Sequence, residues 1–493
     1  MADFDLAIVG GGINGTGIAR DAAGRGLKVV LVEQNDLASG TSSASSKLIH
    51  GGLRYLERGA LGLVRASLSE RDVLLRTAPH LVRPLRFVLP LNEKRRPPLL
   101  RLGLAAYDWI GRSEILPGTQ ALDLVGDEAG RTLRPRFHRA YAYSDCVADD
   151  ARLAVLNAVD AAERGAIIRT RTRCVRAERS DVWRVILNAH GQRDVVTARI
   201  LINATGPWAE TFIETVLREK PRRRLRLVKG SHFLVRRLYE HDRAYVLQAS
   251  NRRFVFTIPF ERDFTLIGTT DRSFSGDPAD VLPTLEEIEY LCSVVNDYFS
   301  ATLTAADMVW AFAGVRALYA GGVRKPQDLW RDYTLVLDKR SRQAPGLTVY
   351  GGELTTYRRL AEDVLRRLAP FFPRSRPWTA HAPLPGGDFA YDGAEALVES
   401  VRRKWPFLTA DHARRLTRAY GARVEDVLKA ATRPEDLGTC FGADLTAAEV
   451  RYLMTREWAQ TADDVLWRRS KLGLRFSETQ RATLERFMTQ GRG

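Results

Sequence analysis

Three closely spaced glycines between two apolar segments restrict the fold of this chain more than any other feature. Residues 5–9 (DLAIV) predict a buried strand, the turn GGGINGTG opens a helix, and residues 27–33 (LKVVLVE) predict a second strand. A β–α–β unit with such short connections predicts parallel strands and an α/β sheet. Gly10, Gly12 and Gly15 fit the spacing G-x-G-x-x-G, which lets a pyrophosphate approach the backbone at the start of a helix. The chain is therefore predicted to bind a dinucleotide.

An acidic residue at the end of the second strand indicates which dinucleotide. Glu33 can accept hydrogen bonds from an adenosine ribose and disfavours the 2′-phosphate of NADP. The nucleotide unit is completed far along the chain, where the predicted strand at 198–204 (ARILINA) runs into Thr205 and Gly206. Nicotinamide enzymes usually keep this domain contiguous, whereas a strand that ends in Ala-Thr-Gly is common in flavoproteins of the glutathione-reductase-like fold. These features favour tightly held FAD.

A hydroxyl-rich segment, TSSASSKLIHGGLRYLE, begins at Thr41 and ends in basic and aromatic side chains. A polar serine tract is ordinarily a flexible linker. This one directly follows the nucleotide-binding unit, and its adjacent Gly51 and Gly52 would let a ligand come close to the backbone. A linker and the wall of an active site are both compatible with these residues.

The charge balance favours anionic partners. The sequence has 75 basic and 59 acidic residues, a formal net charge of +16 and a pI near 9.9. Such an excess attracts nucleic acid, anionic lipid or phosphorylated metabolites, although a general preference for arginine would also produce it. The scattered cysteines and histidines predict neither a disulfide framework nor a metal site. Without a signal-peptide pattern or an apolar run that could span a bilayer, the chain is expected to face the cytosol.

The order of the remaining elements predicts a divided nucleotide domain. Residues 347–350 predict another buried strand, whereas 254–259 and 264–269 predict an antiparallel sheet. A segment rich in proline and glycine after Phe372 predicts a linker, and helical spacing follows it. We therefore expect an α/β fold: a glutathione-reductase-like, Rossmann-type FAD-binding domain, an inserted antiparallel-sheet substrate domain and an all-α C-terminal domain. The expected bounds are roughly 1–80, 143–225 and 340–372 for the FAD-binding domain, roughly 81–142 and 226–339 for the substrate domain (together 1–385), and 386–493 for the helical domain.

Several long blocks carry a family resemblance. TSSASSKLIHGGLRYLE, YSDCVADDARL, INATGPW, VKGSHF, IGTTD, GVRAL, RDYTL, LTTYRRLAED and DDVLWRRSK resemble the FAD-dependent, quinone-linked glycerol-3-phosphate dehydrogenases. The resemblance runs from residue 5 to about residue 472. It implies that hydride passes from C2 of sn-glycerol 3-phosphate to FAD, which gives dihydroxyacetone phosphate, and that the electrons continue to ubiquinone in the membrane.

The resemblance also implies roles for individual residues, and the serine tract is then interpreted as active-site wall. His232 in KGSHF is the candidate base for the substrate hydroxyl, with His50 as a second candidate that is favoured as a flavin contact, and Arg316 and Arg331 complete the catalytic set. A phosphate dianion requires fixed cations or bidentate donors. The implied substrate contacts are Arg54, Tyr55, Arg316, Arg331, Glu353 and Thr355. The implied FAD contacts are Gly10, Gly12, Ile13, Asn14, Gly15, Glu33, Gln34, Thr41, Ser42, Ser43, Ser46, Lys47, His50, Gly51, Gly52, Val175, Ala204, Thr205, Gly206, Trp208, Gly352, Leu354 and Thr355.

One position departs from the family pattern. Where the family has lysine in GGKLTTYR, this chain has Glu353 in GGELTTYR. The carboxylate removes one positive charge and adds a negative one, which would repel a nearby substrate phosphate. Three explanations stay open: Glu353 turns outward, neighbouring arginines compensate, or activity and substrate preference are altered.

The segment at 94–112 (KRRPPLLRLGLAAYDWIGR) predicts an amphipathic helix. On a helix from Leu99, Arg101 and Asp108 share a narrow face, the opposite face carries Trp109, and basic residues lie at both ends. Such a helix suits either the protein core or the plane of an anionic membrane. Because the resembled enzymes reduce a lipid-soluble quinone, we expect peripheral attachment to the cytoplasmic face of the inner membrane. No nucleic-acid partner is expected, and a homodimer is left open.

Four alternative functions remain. A glycerol-3-phosphate oxidase would pass the electrons to oxygen, and a related hydroxy-acid or amino-acid oxidoreductase would also use arginines for its substrate. An RNA-binding flavoprotein is suggested by PRRRLR at 221–226, but that run lacks interleaved aromatic residues for base stacking. A flavin-binding regulator without activity is raised only by Glu353.

Overall fold

A computed structural model describes residues 2–52, 59–91, 97–251, 253–319, 333–373 and 375–491. The strands in chain order are β1 (Phe4–Val9), β2 (Val29–Val32), β3 (Leu48–Ile49), β4 (Val82–Pro90), β5 (Gln120–Asp123), β6 (Arg139–Ala148), β7 (Ile167–Arg169), β8 (Thr172–Arg179), β9 (Trp183–Ala189), β10 (Gln192–Asn203), β11 (Leu225–Arg236), β12 (Ala244–Gln248), β13 (Phe254–Phe260), β14 (Phe264–Gly268), β15 (Arg272–Ser273), β16 (Met308–Tyr319), β17 (Thr334–Arg340), β18 (Gln343–Tyr350), β19 (Cys440–Gly442) and β20 (Leu445–Thr446). The α-helices are α1 (Ile13–Gly24), α2 (Leu61–Thr77), α3 (Pro97–Gly111), α4 (Asp150–Glu163), α5 (Ala209–Thr215), α6 (Leu285–Tyr298), α7 (Tyr357–Leu368), α8 (Ala394–Lys404), α9 (Ala410–Tyr420), α10 (Val424–Leu428), α11 (Ala447–Arg456) and α12 (Glu478–Gln490).

The first sheet is built around the predicted β–α–β unit. Its main strand order is β17-β18-β10-β1-β2-β7, and β1 runs parallel to both β2 and β10. All four residues of β2, VVLV, are buried, as the branched apolar side chains of a covered parallel strand should be. Helix α1 packs between α4 and α7 against this sheet. The segments at 4–9 and 192–203 therefore meet in one sheet although they lie far apart in the chain.

The second sheet has ten strands and holds the longest antiparallel pair of the described chain. Its main order is β15-β11-β14-β13-β12-β4-β6-β3, with β16 paired to β11 and β5 to β6. The antiparallel pairing of β13 with β14 confirms the expected sheet. Strands β11 and β16 pair from Leu225 opposite Tyr319 to Val235 opposite Met308. They carry His232 and Arg316 and so bring two predicted site residues into one sheet.

The C-terminal region is helical, as expected, and has its own apolar core. Helices α8–α12 surround this core together with the short sheet of β19 and β20. The preceding proline-rich segment is packed onto α1, because Arg20 Nη2 donates to the carbonyl oxygens of Ala382 (2.9 Å) and Pro383 (3.2 Å). The expected fold class is confirmed. No helix among the described residues is long and apolar enough to cross a bilayer.

Candidate active site

The glycine turn lies at the carboxyl ends of β1 and β10. Gly10 has φ +116°, and a Cβ atom there would lie 2.5 Å from the carbonyl oxygen of Ala204. A Cβ atom on Gly15 would lie 1.9 Å from the carbonyl oxygen of Gly10, so only glycine lets α1 start this close to the strand. Among the described residues, no hydrogen bond engages the backbone amides of Gly12 and Asn14. These amides at the start of a helix fit a pyrophosphate.

A second observation supports a ligand at this turn. Asn14 Nδ2 donates to the carbonyl oxygen of Gly351 (3.1 Å), but its buried Oδ1 has no partner among the described residues. Buried polar atoms in proteins are rarely left without a partner. A polar group of a bound cofactor would supply one. The residues of the turn therefore fit a dinucleotide.

The acidic residue of the turn is held by backbone amides. Glu33 accepts from the amides of Gly11 (2.7 Å) and Asn35 (2.8 Å). Burial raises the pKa of Glu33 and outweighs the lowering effect of these two amides. The neighbouring Gln34 is exposed. Glu33 is thus fixed at the edge where an adenosine ribose would bind.

The serine tract joins the two sheets. Ser42 Oγ accepts from the amide of Ile13 (2.9 Å) in the glycine turn, and Thr41 Oγ1 donates to the carbonyl oxygen of Val315 (2.7 Å) on β16. Further along, the amide of His50 donates to Thr355 Oγ1 (3.3 Å). The tract therefore spans the distance from the predicted FAD turn to the predicted substrate strands, as an active-site wall should.

Several other predicted FAD residues lie near the glycine turn or the serine tract. The indole of Trp208 packs 3.3 Å from the Cβ position of Gly40, and its Nε1 donates to Asp277 (2.8 Å). A Cβ atom on Gly352 would lie 2.8 Å from Asn14 Nδ2. Ala204, Thr205 and Gly206 follow β10, Gly51 and Gly52 follow β3, and Leu354 lies between Gly352 and Thr355. Val175 lies at the register shift between Cys174 and Arg176 in β8.

The candidate base, His232, is buried on β11. Its ring stacks on Phe312, its neighbour on β16, with 4.9 Å between ring centroids. Its Nε2 lies 2.8 Å from Ser46 Oγ in the serine tract. Burial, together with the positive charges of Lys47 and Arg316, lowers the pKa of His232 to about 3. The imidazole is therefore neutral at physiological pH, and one of its ring nitrogens carries no proton.

Lys47 forms a buried ion pair behind this histidine. Its Nζ lies 2.8 Å from Asp150 Oδ1 and also donates to the carbonyl oxygen of Ser43 (3.0 Å). Burial lowers the pKa of Lys47. Burial also raises the pKa of Asp150, but the charges of Lys47 and Lys471 and the hydrogen bonds from Lys47 and Ser45 together outweigh it, so the pKa of Asp150 is lowered. Lys47, predicted as an FAD contact, thus has its ammonium group directed at Asp150. Asp150 belongs to the block YSDCVADDARL, but nothing in the sequence indicated this pairing.

Comparisons with known proteins agree with a dinucleotide-binding oxidoreductase. The family model of FAD dependent oxidoreductases matches residues 5–357, and that of the C-terminal domain of alpha-glycerophosphate oxidase matches residues 377–489. Glycerol-3-phosphate dehydrogenase of Pseudomonas aeruginosa is 50% identical over 489 residues, which cover 98% of this chain and 95% of the relative. The chain belongs to the FAD-dependent glycerol-3-phosphate dehydrogenase family. The resemblance and the FAD cofactor expected from the sequence are confirmed.

Two further comparisons show the range of the family. D-erythritol 1-phosphate dehydrogenase of Brucella abortus is 46% identical over 483 residues, 97% of this chain and 96% of the relative. The solved structure of glycerol-3-phosphate dehydrogenase from Bacillus halodurans complexed with FAD is 27% identical, with a TM-score of 0.77, and covers 99% of this chain and 94% of that chain. The fold is therefore that of an FAD-containing family member over nearly its whole length.

Of the three arginines predicted to contact the substrate, Arg316 is the one that the structure describes. Its Nη2 donates to the carbonyl oxygen of Thr270 (3.3 Å) and pairs with the buried carboxylate of Asp271. It also lies 3.2 Å from the Cβ position of Gly230, which directs it back along β11 towards His232. Asp271 was not singled out from the sequence, although it ends the quoted block IGTTD.

The structure describes only part of the predicted substrate site. Arg54, Tyr55 and Arg331 lie outside the described residues. Glu353 is half-buried beside Gly352 in the segment that contacts Asn14. Among the other expected substrate contacts, Arg316 lies at Thr270 and Asp271, and Thr355 lies at His50.

Proposed function

We propose that the protein oxidises sn-glycerol 3-phosphate at C2 to dihydroxyacetone phosphate and delivers the electrons to ubiquinone. The observation that carries this proposal is the placement of His232 and Arg316 on paired strands, with Ser46 linking His232 to the wall of the FAD cleft. When bound, FAD supplies the acceptor for the hydride and the route of the electron pair to the quinone.

The chain's own residues manage the proton and the phosphate. The neutral His232 takes the proton of the C2 hydroxyl while the C2–H bond breaks with its electron pair, so that the C2–O bond becomes a carbonyl. The contact with Ser46 holds the ring in place. Arg316, held by Asp271, offers a guanidinium group to the phosphate dianion. Arg331, Arg54 and Tyr55 are proposed as its companions.

We also propose the domain bounds expected from the sequence. The strands of the first sheet fall within 1–80, 143–225 and 334–350, close to the proposed FAD-binding segments. The paired strands β11 and β16 fall within the proposed substrate domain at 226–339, apart from the first residue of β11. The cleft between these two sheets would hold FAD and the substrate together.

Helix α3 supports peripheral attachment to the cytoplasmic face of an anionic membrane. Leu102 and Trp109 are each 68% exposed, whereas Leu104 and Tyr107 face inward. Arg112 lies 5.3 Å from the Trp109 ring. Exposed apolar groups with adjacent cations suit a lipid–water interface.

Vesicle sedimentation tests this attachment. The double variant Leu102→Asp, Trp109→Asp should lose binding to anionic vesicles and stay soluble. Val125→Asp, at a position that is 78% exposed elsewhere on the surface, serves as the control and should keep it. Equal binding by all three proteins would contradict attachment through α3.

Anaerobic flavin bleaching tests the catalytic proposal. Glycerol 3-phosphate should bleach the flavin of the purified protein, whereas glycerol and amino acids should not. D-erythritol 1-phosphate belongs in the same experiment, since a relative with 46% identity bears that substrate's name. Faster bleaching by the erythritol phosphate would reassign the substrate. Reoxidation by a ubiquinone analogue or by oxygen then separates a dehydrogenase from an oxidase.

A further inference from the structure

A column of aromatic rings, each in contact with the next, leads from the candidate base to the C-terminal region. The distances between ring centroids are 4.9 Å for His232 and Phe312, which stack, and 5.0 Å for Phe312 and Trp310, which are tilted. Trp310 then stacks on Trp467 with 4.5 Å between centroids and 16° between the ring planes. Phe312 and Trp310 are two residues apart on β16 and therefore share one face of the sheet. The column ends on the half-buried Trp467.

Trp467 packs against a different apolar core from the two rings of β16. It packs against the apolar core of the C-terminal helices, whereas Phe312 and Trp310 belong to the core of the second sheet. Trp467 lies in the π-helical turn Asp464–Arg469. The Trp310–Trp467 stack is therefore a contact between two separately packed parts of the chain.

Ion pairs fix this turn against the FAD-binding part of the chain. Asp464 pairs with Arg171 at 2.7 Å, and Arg469 lies 2.6 Å from the buried carboxylate of Asp36. Arg468 pairs with the same Asp36 carboxylate (2.5 Å). Buried ion pairs that satisfy each other's charge resist displacement, because removing one partner leaves an uncompensated charge. The residues before and after Trp467 in the sequence are thus anchored by ion pairs.

We propose that Trp467 is a positioning residue for His232, so that the C-terminal region sets the orientation of the catalytic base. The proposal rests on the proposed function, in which His232 accepts the C2 proton. A displacement of Trp467 should displace His232, because each ring contacts the next and packed interiors leave little free volume. Lys47 Nζ lies 5.2 Å from the centre of the Phe312 ring and limits its movement on another side. Without Trp467, Trp310 and Phe312 can tilt, and the imidazole loses its stacked support.

Three variants test this role. Trp467→Ala removes the outer ring and Trp467→Phe keeps an aromatic one. Phe487→Ala is the matched control, because Phe487 pairs with Phe441 at 5.0 Å inside the C-terminal core and lies outside the column. If Trp467→Ala does not fold, Trp467→Leu, which keeps most of the volume without the flat ring, takes its place. Each protein is measured by single-turnover flavin bleaching over a range of glycerol 3-phosphate concentrations, and by NMR of ¹⁵N-histidine, with the His232 signal assigned through His232→Asn.

The expected result is a change at His232 without loss of substrate binding. In Trp467→Ala the bleaching rate should fall about tenfold, since a small misplacement of a catalytic group costs this much or more. The substrate concentration at half-maximal rate should stay within about twofold, because Arg316 is untouched. The His232 signal should shift in Trp467→Ala, return towards the normal position in Trp467→Phe, and stay unchanged in Phe487→Ala.

Two outcomes would overturn the proposal. An unchanged His232 signal in a folded Trp467 variant would mean that the column only packs the two cores together and does not position His232. A shifted signal with an unchanged bleaching rate would mean that the orientation of the ring does not matter for the reaction. If the unsubstituted protein is not bleached, the proposed function fails instead, and the NMR comparison, which needs no substrate, still decides whether Trp467 positions the ring.

Discussion

A side chain on Gly268 would collide with His232. The two residues face each other across the antiparallel strands β14 and β11. A Cβ atom on Gly268 would lie 2.1 Å from Cδ2 of His232 and 2.8 Å from its Nε2. The imidazole therefore occupies the space that the side chain of any other residue at 268 would need. In this position its Nε2 points towards Ser46.

The variant Gly268→Ala should lower kcat by about 10- to 100-fold, because the added methyl group displaces the base by about an ångström. The KM for glycerol 3-phosphate should change little, since Arg316 is held by other residues. Steady-state kinetics with a quinone analogue measures both constants. Gly62→Ala, at a helical position with no atom within 4 Å of the added Cβ, is the control. A normal kcat in Gly268→Ala would show that His232 does not act as the base in the position that Gly268 allows.

The variant Asp271→Asn should raise the KM for glycerol 3-phosphate about tenfold and leave kcat less affected. The change removes the negative charge that orients Arg316, and hydrogen bonds to charged groups contribute about 1.5–3 kcal/mol. Asp280→Asn, on the exposed surface nearby, should behave as the unsubstituted protein. If kcat falls instead while KM stays constant, Arg316 acts on the reacting centre and not on the phosphate.

The variant Gly15→Ala should be purified largely without flavin. Its Cβ atom would lie 1.9 Å from the Gly10 carbonyl oxygen, so α1 must move away from the strand and its amides from the cofactor. The ratio of absorbance at the flavin band to that of the protein measures the loss. Gly126→Ala, where no atom lies within 4 Å of the added Cβ, should retain FAD. Full flavin content in Gly15→Ala would place the pyrophosphate elsewhere.

Asp464 predicts a pH dependence of stability. Burial raises its pKa, but Arg468, the amide of Gln460 and Arg171 outweigh burial and lower the pKa from 3.8 to about 2. Since the folded-state pKa lies below the unfolded-state value, this carboxylate stabilises the fold above about pH 4, and the contribution is lost as the pH falls towards 2.

At pH 7, Asp464→Asn should lower the free energy of unfolding by about 2 kcal/mol, and the difference from the unsubstituted protein should shrink below pH 4. Denaturant unfolding at several pH values measures it. Asp411→Asn breaks an exposed pair with Arg262 and should cost less than about 1 kcal/mol. A difference for Asp464→Asn that is constant from pH 7 to pH 3 would contradict the ionic explanation.

Local patterns predicted the parts of this site that are local in the chain. The glycine turn and the paired strands β13 and β14 follow from spacing, and the π-helical turn starts at the Thr-x-x-Asp pattern of Thr461 and Asp464, which favours capping. At that start, the amide of Asp464 donates to Thr461 Oγ1 (3.2 Å), and the amide of Thr461 donates to Asp464 Oδ2 (3.0 Å). Each signal involves residues a few positions apart, whose preferences act before the chain is folded.

The remaining parts depend on contacts between distant segments. Lys47 pairs with Asp150, and Trp467 stacks on Trp310, across separations that no periodicity records. A lone aspartate or tryptophan is ordinarily a surface charge or a core side chain, so no local pattern distinguishes Asp150 or Trp467. Family resemblance marked the blocks that contain them without assigning their partners. The Lys47–Asp150 pair follows from the pairing of β3 with β6, and the Trp310–Trp467 stack follows from the packing of the C-terminal region against β16.

Single-turnover reduction of the flavin by deuterated substrate tests the central claim most directly. Glycerol 3-phosphate labelled at C2 should bleach the flavin several-fold more slowly than unlabelled substrate, because the C2–H bond breaks in the step that reduces FAD. Substrate labelled at C1 should bleach it at the unlabelled rate. Absence of bleaching, or slowing by the C1 label instead of the C2 label, would contradict oxidation at C2 by this site.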